Sequence, residues 1–194
     1  MKSTVILFPK PERVDFAEID IPAPGPGQIL AKTILTGVST GTETRVWRGG
    51  EDASAFPLIP GYVNVGEILE AGEGVSLQPG ALVFHTGSDN TGEYSRLWGA
   101  HCQYCLIRAE NAILLPDGID PKDAIYTVVA AIAQHGIHRG GVAAGDRVAV
   151  VGLGLIGAVD LHATVGAALS AERSRRVAGQ LRGAGFFPLS SHAV

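Results

Sequence analysis

The feature that most constrains this chain is a short apolar run followed by three spaced glycines, Arg147-Val-Ala-Val-Val-Gly-Leu-Gly-Leu-Ile-Gly157. A run such as Val148 to Val151 is typical of a buried parallel strand. The G-x-G-x-x-G spacing that follows turns a strand sharply into a helix and lets the backbone approach a pyrophosphate. Free N–H groups and the helix dipole would attract that anion. The motif therefore predicts a dinucleotide site at Gly152, Leu153, Gly154, Leu155, Ile156 and Gly157.

Composition limits the possible classes of protein. The chain has 194 residues, of which 46% are hydrophobic and 18% charged, and its net charge is −4. No basic block is present, so the phosphate attraction that drives nucleic-acid binding is missing. The N-terminus does not read as a signal peptide, and no apolar run reaches the roughly 18 residues that span a bilayer. We expect a soluble, cytoplasmic, globular protein with one large domain or one domain plus part of another.

The first 110 residues read as short strands separated by Gly/Pro turns. Strands at this spacing predict an antiparallel barrel or sandwich. The apolar and β-branched runs that carry this prediction are Thr4–Phe8, Val14–Ile21, Gln28–Val38, Tyr62–Ala71, Ala81–His85 and His101–Arg108.

The pattern changes at Pro121. Asp120 is an N-cap candidate with Pro121 at the first helical position, leading into a helix over Ala124 to Ile137. This segment is apolar nearly all round, which predicts a buried helix. A second helix is predicted over Ala171 to Leu181. We accordingly expect a domain over 1–120 and another over 121–194.

The order of the motifs resembles that of the medium-chain dehydrogenase/reductase superfamily, the alcohol-dehydrogenase-like proteins. The resemblance implies a fold that is mostly β with α/β, in which a GroES-like antiparallel β-barrel precedes a partial Rossmann βα unit. It extends over roughly residues 1 to 157. The pieces that carry it include Pro24-Gly-Pro-Gly-Gln28, Gly37-Val-Ser-Thr-Gly-Thr-Glu43, Pro60-Gly-Tyr-Val-Asn-Val-Gly66, Gly99-Ala-His-Cys-Gln-Tyr104, Leu115-Pro-Asp-Gly118 and Gly145 to Gly157.

The chain departs from the zinc-dependent members of this superfamily at the metal ligands. A catalytic zinc needs three protein ligands from Cys, His, Asp or Glu. The resemblance places Ser39, Tyr62, Val63 and Val128 at the ligand positions, and none of these residue types is on that list. The four-cysteine structural zinc lobe is also absent, since the sequence has only two cysteines. We therefore expect no zinc.

A second departure concerns the dinucleotide cofactor. An acidic residue that binds the ribose hydroxyls normally follows the glycines by about 20 residues. That count lands near Val177, and the best match to the superfamily's motif puts Ala168 at the acidic position. The sequence extends 37 residues past Gly157 (194 − 157), so we expect a truncated Rossmann domain. The resemblance implies NAD(P), without deciding between NAD and NADP.

Two further groups of residues invite a metal or redox interpretation. Cys102 and Cys105 form a C-x-x-C, but alternation along a strand would put them on opposite faces, so we expect two small packing residues. His85 and His101 are more often ordinary polar residues than ligands when no matching set of ligands is present.

The candidate catalytic residues follow from the resemblance. Tyr62 is the candidate polarising or proton-donating group, with a rim position closing the barrel as the ordinary alternative. Ser39, Thr40 and Glu43 belong to a loop that lines the substrate cleft of the superfamily; Glu43 could instead cap a helical turn. His135 resembles a position near that cleft, although a lone His on an apolar helix is usually a core residue.

Three functions remain open from the sequence. The first is a zinc-independent NAD(P)-dependent oxidoreductase that transfers hydride to or from a carbonyl, enone, quinone or alcohol. The second is a truncated, non-catalytic relative that binds a small molecule or partner, and the third is a β interaction module. Because an incomplete parallel sheet leaves edges uncovered, we expect a homodimer with the segment between Arg147 and Leu181 at its interface.

Overall fold

The computed structural model describes residues 1–50, 55–143, 146–152 and 154–159. The chain divides into two compact units, Met1–Ile125 and Tyr126–Val194. Each unit is described by itself.

The first unit is built on a five-stranded antiparallel sheet in the order β8-β3-β5-β6-β9. Strands β1 and β2 form an antiparallel pair beside it, and β4 and β7 form a short parallel pair. The strands are β1 (Lys2–Leu7), β2 (Asp15–Asp20), β3 (Gln28–Gly37), β4 (Leu58–Ile59), β5 (Val63–Ala71), β6 (Leu82–His85), β7 (Ser95–Arg96), β8 (Tyr104–Arg108) and β9 (Ile113–Leu114). The predicted mostly β, antiparallel class is therefore confirmed.

Aliphatic side chains from these strands fill one core. Burying an Ile or Val side chain fully contributes roughly 1.5–3 kcal/mol, so the β-branched runs that predicted the strands also stabilise their packing. The buried members of the core are Val5, Leu7, Ile19, Ile21, Ile29, Leu30, Ala31, Ile59, Ile68, Val83, Cys102, Cys105 and Ile107.

Each of the six predicted strands is present. The first begins two residues earlier than predicted and ends one residue earlier, and the other five are shortened by one to three residues at one or both ends. The sequence did not predict the two-residue strands β4, β7 and β9, because pairs this short are determined by their tertiary partners rather than by a periodic pattern. It also did not predict helix α1 (Thr40–Trp47). Three of its first four residues are Thr or Gly, which are weak helix formers, so local propensity does not indicate a helix there.

The helical segment after Asp120 begins as predicted but is not one helix. The Asp120 carboxylate accepts from Lys122 N–H at 2.8 Å, with Pro121 at the first helical position. The helix α2 (Pro121–Ala124) then ends, and α3 (Thr127–Arg139) follows after a short break.

The prediction that α3 is buried all round is wrong. Among its described side chains Val128, Ala133 and Ile137 are buried, whereas Ile132 is 43% exposed. Ala133 and Ile137 lie four residues apart on one face, whereas Val128, nine residues before Ile137, lies on the opposite face.

The predicted buried parallel strand at Val148–Val151 is also wrong. This segment has no strand assignment, Val148 is 43% exposed and Val151 is 98% exposed. A parallel strand is buried only when neighbouring strands pair with it and helices cover both faces. Within the described residues no strand pairs with this segment, so its apolar side chains lie in solvent.

Two sequence predictions fall on residues that the structure does not describe. They are the helix over Ala171 to Leu181 and the missing ribose acid at Ala168 or Val177. Over the described part of the chain, no helix combines the length and the apolar character needed to cross a bilayer.

Candidate functional site

Three segments of the first unit meet at one place. They are the end of β3 with the start of α1 (37–43), the turn into β5 (60–64) and the loop before β8 (98–101). The backbone joins the last two, because Ala100 N–H donates to Gly61 O at 3.1 Å. We call the side chains of Ser39, Glu43, Tyr62, Trp98 and His101 the Tyr62 cluster.

Tyr62 and Trp98 pack against each other at this meeting point. Their ring centroids lie 4.6 Å apart with the planes tilted by 46°. Trp98 holds this position with a φ of 61°, which L residues adopt only under tertiary constraint. Half-burial of Tyr62 raises the pKa of its phenol above the usual 10, so the hydroxyl is protonated at neutral pH and can donate a hydrogen bond.

Glu43 and His101 form a buried pair beside these rings. Their side chains are each 4% exposed, and His101 Nε2 lies 2.9 Å from Glu43 Oε2. The other carboxylate oxygen accepts from Ser39 N–H at 2.7 Å. Because carboxylate oxygens accept hydrogen bonds, we assign Nε2–H of His101 as the donor in this contact. The Nδ1 atom has no hydrogen-bond partner among the described residues.

Asn64 connects the same segments through hydrogen bonds of its side chain. Its Nδ2 donates to Ala100 O at 2.9 Å and to Thr33 Oγ1 at 2.8 Å, while Thr33 donates to Cys102 O at 2.6 Å. Asn64 is fully buried. A buried amide of this kind fixes the spacing of β3, β5 and the loop before β8, since each lost bond leaves a buried polar group unpaired.

The C-x-x-C pair is structural in this arrangement. Cys102 and Cys105 are both buried free thiols, as expected for packing residues. The expectation that they lie on opposite faces is wrong, because both side chains belong to the same core cluster. Strand β8 begins only at Tyr104, so strand alternation does not relate the two cysteines. The Cys102 thiol donates to Gly99 O at 3.1 Å. The neighbouring Cys105 thiol, together with burial, raises the pKa of the Cys102 thiol.

His85, at the end of β6, is a fully buried histidine outside the cluster. Its Nδ1 lies 3.0 Å from Gly87 O. Burial lowers its pKa to about 4, against the smaller opposing effects of the Gly87 carbonyl and the Asp89 charge. It is therefore neutral at physiological pH.

The glycine motif lies in the second unit and adopts a tight turn. Gly152 has a φ of 96°, and residues 155–159 are helical with Ala158 N–H donating to Gly154 O at 2.9 Å. A Cβ on Gly157 would overlap Gly152 O. The backbone at Gly157 thus lies as close to Gly152 as the third glycine of a dinucleotide motif allows. The turn therefore fits a dinucleotide cofactor. Leu153 lies outside the described residues, while Leu155 and Ile156 are exposed.

Of the predicted catalytic residues, Ser39, Thr40, Glu43 and Tyr62 lie in the first unit. Ser39 and Glu43 are joined by a hydrogen bond, while Thr40 is exposed as the first residue of α1. His135 lies on α3 in the second unit.

The residues at the expected zinc positions do not fit a zinc ion. Ser39 and Tyr62 offer neutral hydroxyls, and Val63 and Val128 are buried hydrocarbon side chains. Within residues 1–50, 55–143, 146–152 and 154–159, no three His, Cys, Asp or Glu residues are grouped as metal ligands would be.

Two members of the site, Trp98 and His101, have no local signal that identifies them. The sequence predicts an ordinary polar residue at His101 and predicts no role for Trp98. The dipeptide Trp98-Gly99 was the available signal for a turn, but nothing local predicts that the ring reaches Tyr62. The partner of His101 is 58 residues away in sequence, and no periodic pattern extends over that separation.

Comparisons with known proteins agree with this fold. Residues 25–117 match the alcohol dehydrogenase GroES-like domain. The chain is 29% identical over 141 residues to the 2-desacetyl-2-hydroxyethyl bacteriochlorophyllide A dehydrogenase of Rhodobacter capsulatus, covering 71% of this chain and 45% of that protein. It is 29% identical over 172 residues to the L-galactonate-5-dehydrogenase of Escherichia coli, covering 79% and 50%. The chain thus spans about half the length of these curated relatives.

Solved structures show the same fold. A putative zinc-binding dehydrogenase from Sinorhizobium meliloti, bound to NADP, superposes with a TM-score of 0.73 at 23% identity, covering 93% of this chain and 60% of that one. The alcohol dehydrogenase RspB from Escherichia coli, complexed with NADH, gives 0.72 at 24% identity, covering 85% and 53%.

Proposed function

Because the chain belongs to the medium-chain dehydrogenase/reductase superfamily, we propose that it acts in a zinc-independent, NAD(P)-dependent oxidoreduction. The substrate class is a small carbonyl, enone, quinone or alcohol. The relatives are dehydrogenases by name, and two solved neighbours carry NADH or NADP. The glycine turn at 152–157 would hold the pyrophosphate of the same cofactor here. We place the protein in the cytoplasm, in keeping with its two free thiols.

The observation that carries the proposal is the half-buried Tyr62 against Trp98, whose hydroxyl can donate a hydrogen bond. The resemblance in the sequence aligns this residue with a metal ligand of zinc-dependent members. A bound nicotinamide would supply or accept the hydride. Tyr62 would then donate a hydrogen bond to the substrate oxygen and give it the proton that reduction requires. The rings of Tyr62 and Trp98 would exclude water from that oxygen, which strengthens the hydrogen bond.

Cofactor binding is the first test of the proposal. Wild-type protein should bind NADH or NADPH with a micromolar Kd, measured from the change in nicotinamide fluorescence. Gly157→Ala should raise that Kd at least about tenfold, since the added Cβ overlaps Gly152 O and would force apart the turn that holds the pyrophosphate. Gly136→Ala is the matched control, because a Cβ there meets nothing within 4 Å. No binding of either cofactor at millimolar concentration would favour the alternative, a non-catalytic binding module.

The role of Tyr62 is tested by Tyr62→Phe. We expect kcat for carbonyl reduction to fall about a hundredfold, the usual contribution of a general acid, with the NADH Kd unchanged. Tyr94→Phe, which removes the hydroxyl of a tyrosine that packs against the core cluster, should leave kcat unaltered. A Tyr62→Phe variant with wild-type kcat would assign the residue to packing alone.

We also propose that the chain is a homodimer. Four apolar side chains near the glycine turn, Val148, Val151, Leu155 and Ile156, are between 43% and 98% exposed, and a partner chain would cover them. Light scattering at micromolar concentration should give twice the chain mass of 20.1 kDa. A mass of one chain would contradict this.

A further inference from the structure

The Glu43 carboxylate is buried in a way that stability does not explain. It is 3% exposed and has two partners, the Ser39 N–H and the His101 imidazole. Moving a carboxylate out of water is costly, and buried ion pairs are often replaced by apolar residues without loss of stability. A role at the site accounts for the pair better.

His101 is fixed in place by its own backbone. Its N–H donates to Pro60 O at 3.1 Å and its carbonyl accepts from Ile6 N–H at 3.0 Å. Gly61, which precedes Tyr62, lies so close that a Cβ there would overlap the His101 nitrogen. His101 is thus an anchor rigidly connected to the segment that carries Tyr62.

The side chain of Ser39 does not cap helix α1. It is the N-cap residue, and its side chain would ordinarily accept from a backbone N–H of the first turn. Here it makes no capping hydrogen bond. Glu43, one position beyond the N3 residue of a capping box, reaches back to the Ser39 N–H, and the reciprocal bond from the Ser39 side chain is not made. The half-buried Ser39 hydroxyl is therefore not used by the helix.

We infer that Glu43 and His101 are positioning residues, which hold the backbone of Ser39 so that its hydroxyl faces a ligand of the proposed site instead of capping α1. Glu43 is the link, with one oxygen on Ser39 and the other on the anchored imidazole. The ligand group is one that a hydroxyl can bind, such as the oxygen of the carbonyl or alcohol substrate. The inference rests on the proposed oxidoreductase function and goes beyond it by assigning the two buried residues.

Hydrogen exchange tests the inference without any activity. Glu43→Ala removes both contacts and leaves the Ser39 hydroxyl free to cap α1. We expect the Ser39 amide to exchange faster and the Thr42 amide, at the third helical position, to slow by about tenfold as it gains the capping bond. Glu43→Gln keeps an oxygen for the Ser39 N–H and should resemble wild type. Glu67→Gln, an exposed substitution on β5, is the control.

Enzyme kinetics provide a second test of the inference. Ser39→Ala and Glu43→Ala should each lower kcat/KM about tenfold, and the double variant should be no worse than either alone, because Glu43 acts through Ser39. Glu43→Gln should retain activity within about threefold. A purely structural role would make the two losses multiply and would not be rescued by Gln.

The outcomes separate the inference from the proposed function. A wild-type protein that neither binds NAD(P)H nor reduces carbonyls would overturn the function, while the exchange data would still decide whether Glu43 restrains Ser39. Unchanged Thr42 exchange in Glu43→Ala, or multiplicative losses in an active enzyme, would overturn the inference and leave the function standing.

Discussion

Gly61→Ala is expected to destabilise the first unit by at least about 3 kcal/mol, a cost typical of severe backbone strain combined with overpacking. Gly61 has a φ of 126°, a conformation that L side chains rarely adopt. An added Cβ would overlap His101 N and lie 2.7 Å from the Ala100 backbone. These are backbone atoms, so no side-chain rotation relieves the contact.

A matched control separates strain from overlap. Gly74 also has a positive φ, 79°, but a Cβ there meets nothing within 4 Å. Gly74→Ala should therefore cost only about 1–2 kcal/mol, the price of the left-handed conformation alone. Urea unfolding of both variants with a common m-value measures the difference. Equal losses would show that the segment around Gly61 moves apart readily and that the Tyr62 cluster is not rigidly held.

The second large effect is a loss of stability on acidification that originates from His85. Its pKa is about 4 in the fold because of burial, against an ordinary value of 6.5. As pH falls below 6.5 the unfolded chain takes up a proton that the folded chain cannot, so the stabilisation is present above 6.5 and is lost towards pH 4. The full loss is about 3 kcal/mol, of which about 2 kcal/mol appears between pH 7.5 and pH 5.

Two variants without a titrating group isolate this contribution. His85→Asn keeps an N–H in reach of Gly87 O, and His85→Leu keeps the bulk of the side chain. Both should be less stable than wild type at pH 7.5, and both should lose about 2 kcal/mol less than wild type on going to pH 5. Parallel stability curves for wild type and both variants would assign the acid sensitivity to other groups.

The local chemistry of the sequence was sufficient for much of the fold. β-branched runs bounded by Gly and Pro predicted six strands, because such side chains fit a half-buried pleated surface wherever that surface forms. The Asp120 cap with Pro121 was also predicted, since a cap depends on neighbours within a few residues. Tyr62, Ser39, Thr40 and Glu43 were identified as site candidates from the order of motifs, not from any physical signal in their own neighbourhood.

The sequence predicted Val148–Val151 as a buried strand, and the structure leaves it exposed. An apolar run becomes a buried strand only where other strands pair with it and helices cover its faces. Whether they do so depends on the whole fold. The break between α2 and α3 and the exposed positions along α3 have the same origin. Local periodicity cannot report which face of a helix a neighbour covers.

Local sequence chemistry was therefore sufficient for the strands and one helix cap, and the order of motifs for the resemblance to a family. The site depends on the packing of the whole fold. Glu43 and His101 became a buried pair, and Tyr62 met Trp98, because β3, β5 and the loop before β8 converge through Asn64 and the Gly61 backbone. Those contacts join residues 36 to 58 positions apart. The free energy of these contacts depends on how deeply the groups are buried and on the distances between them. Both are set by the packing of the whole chain.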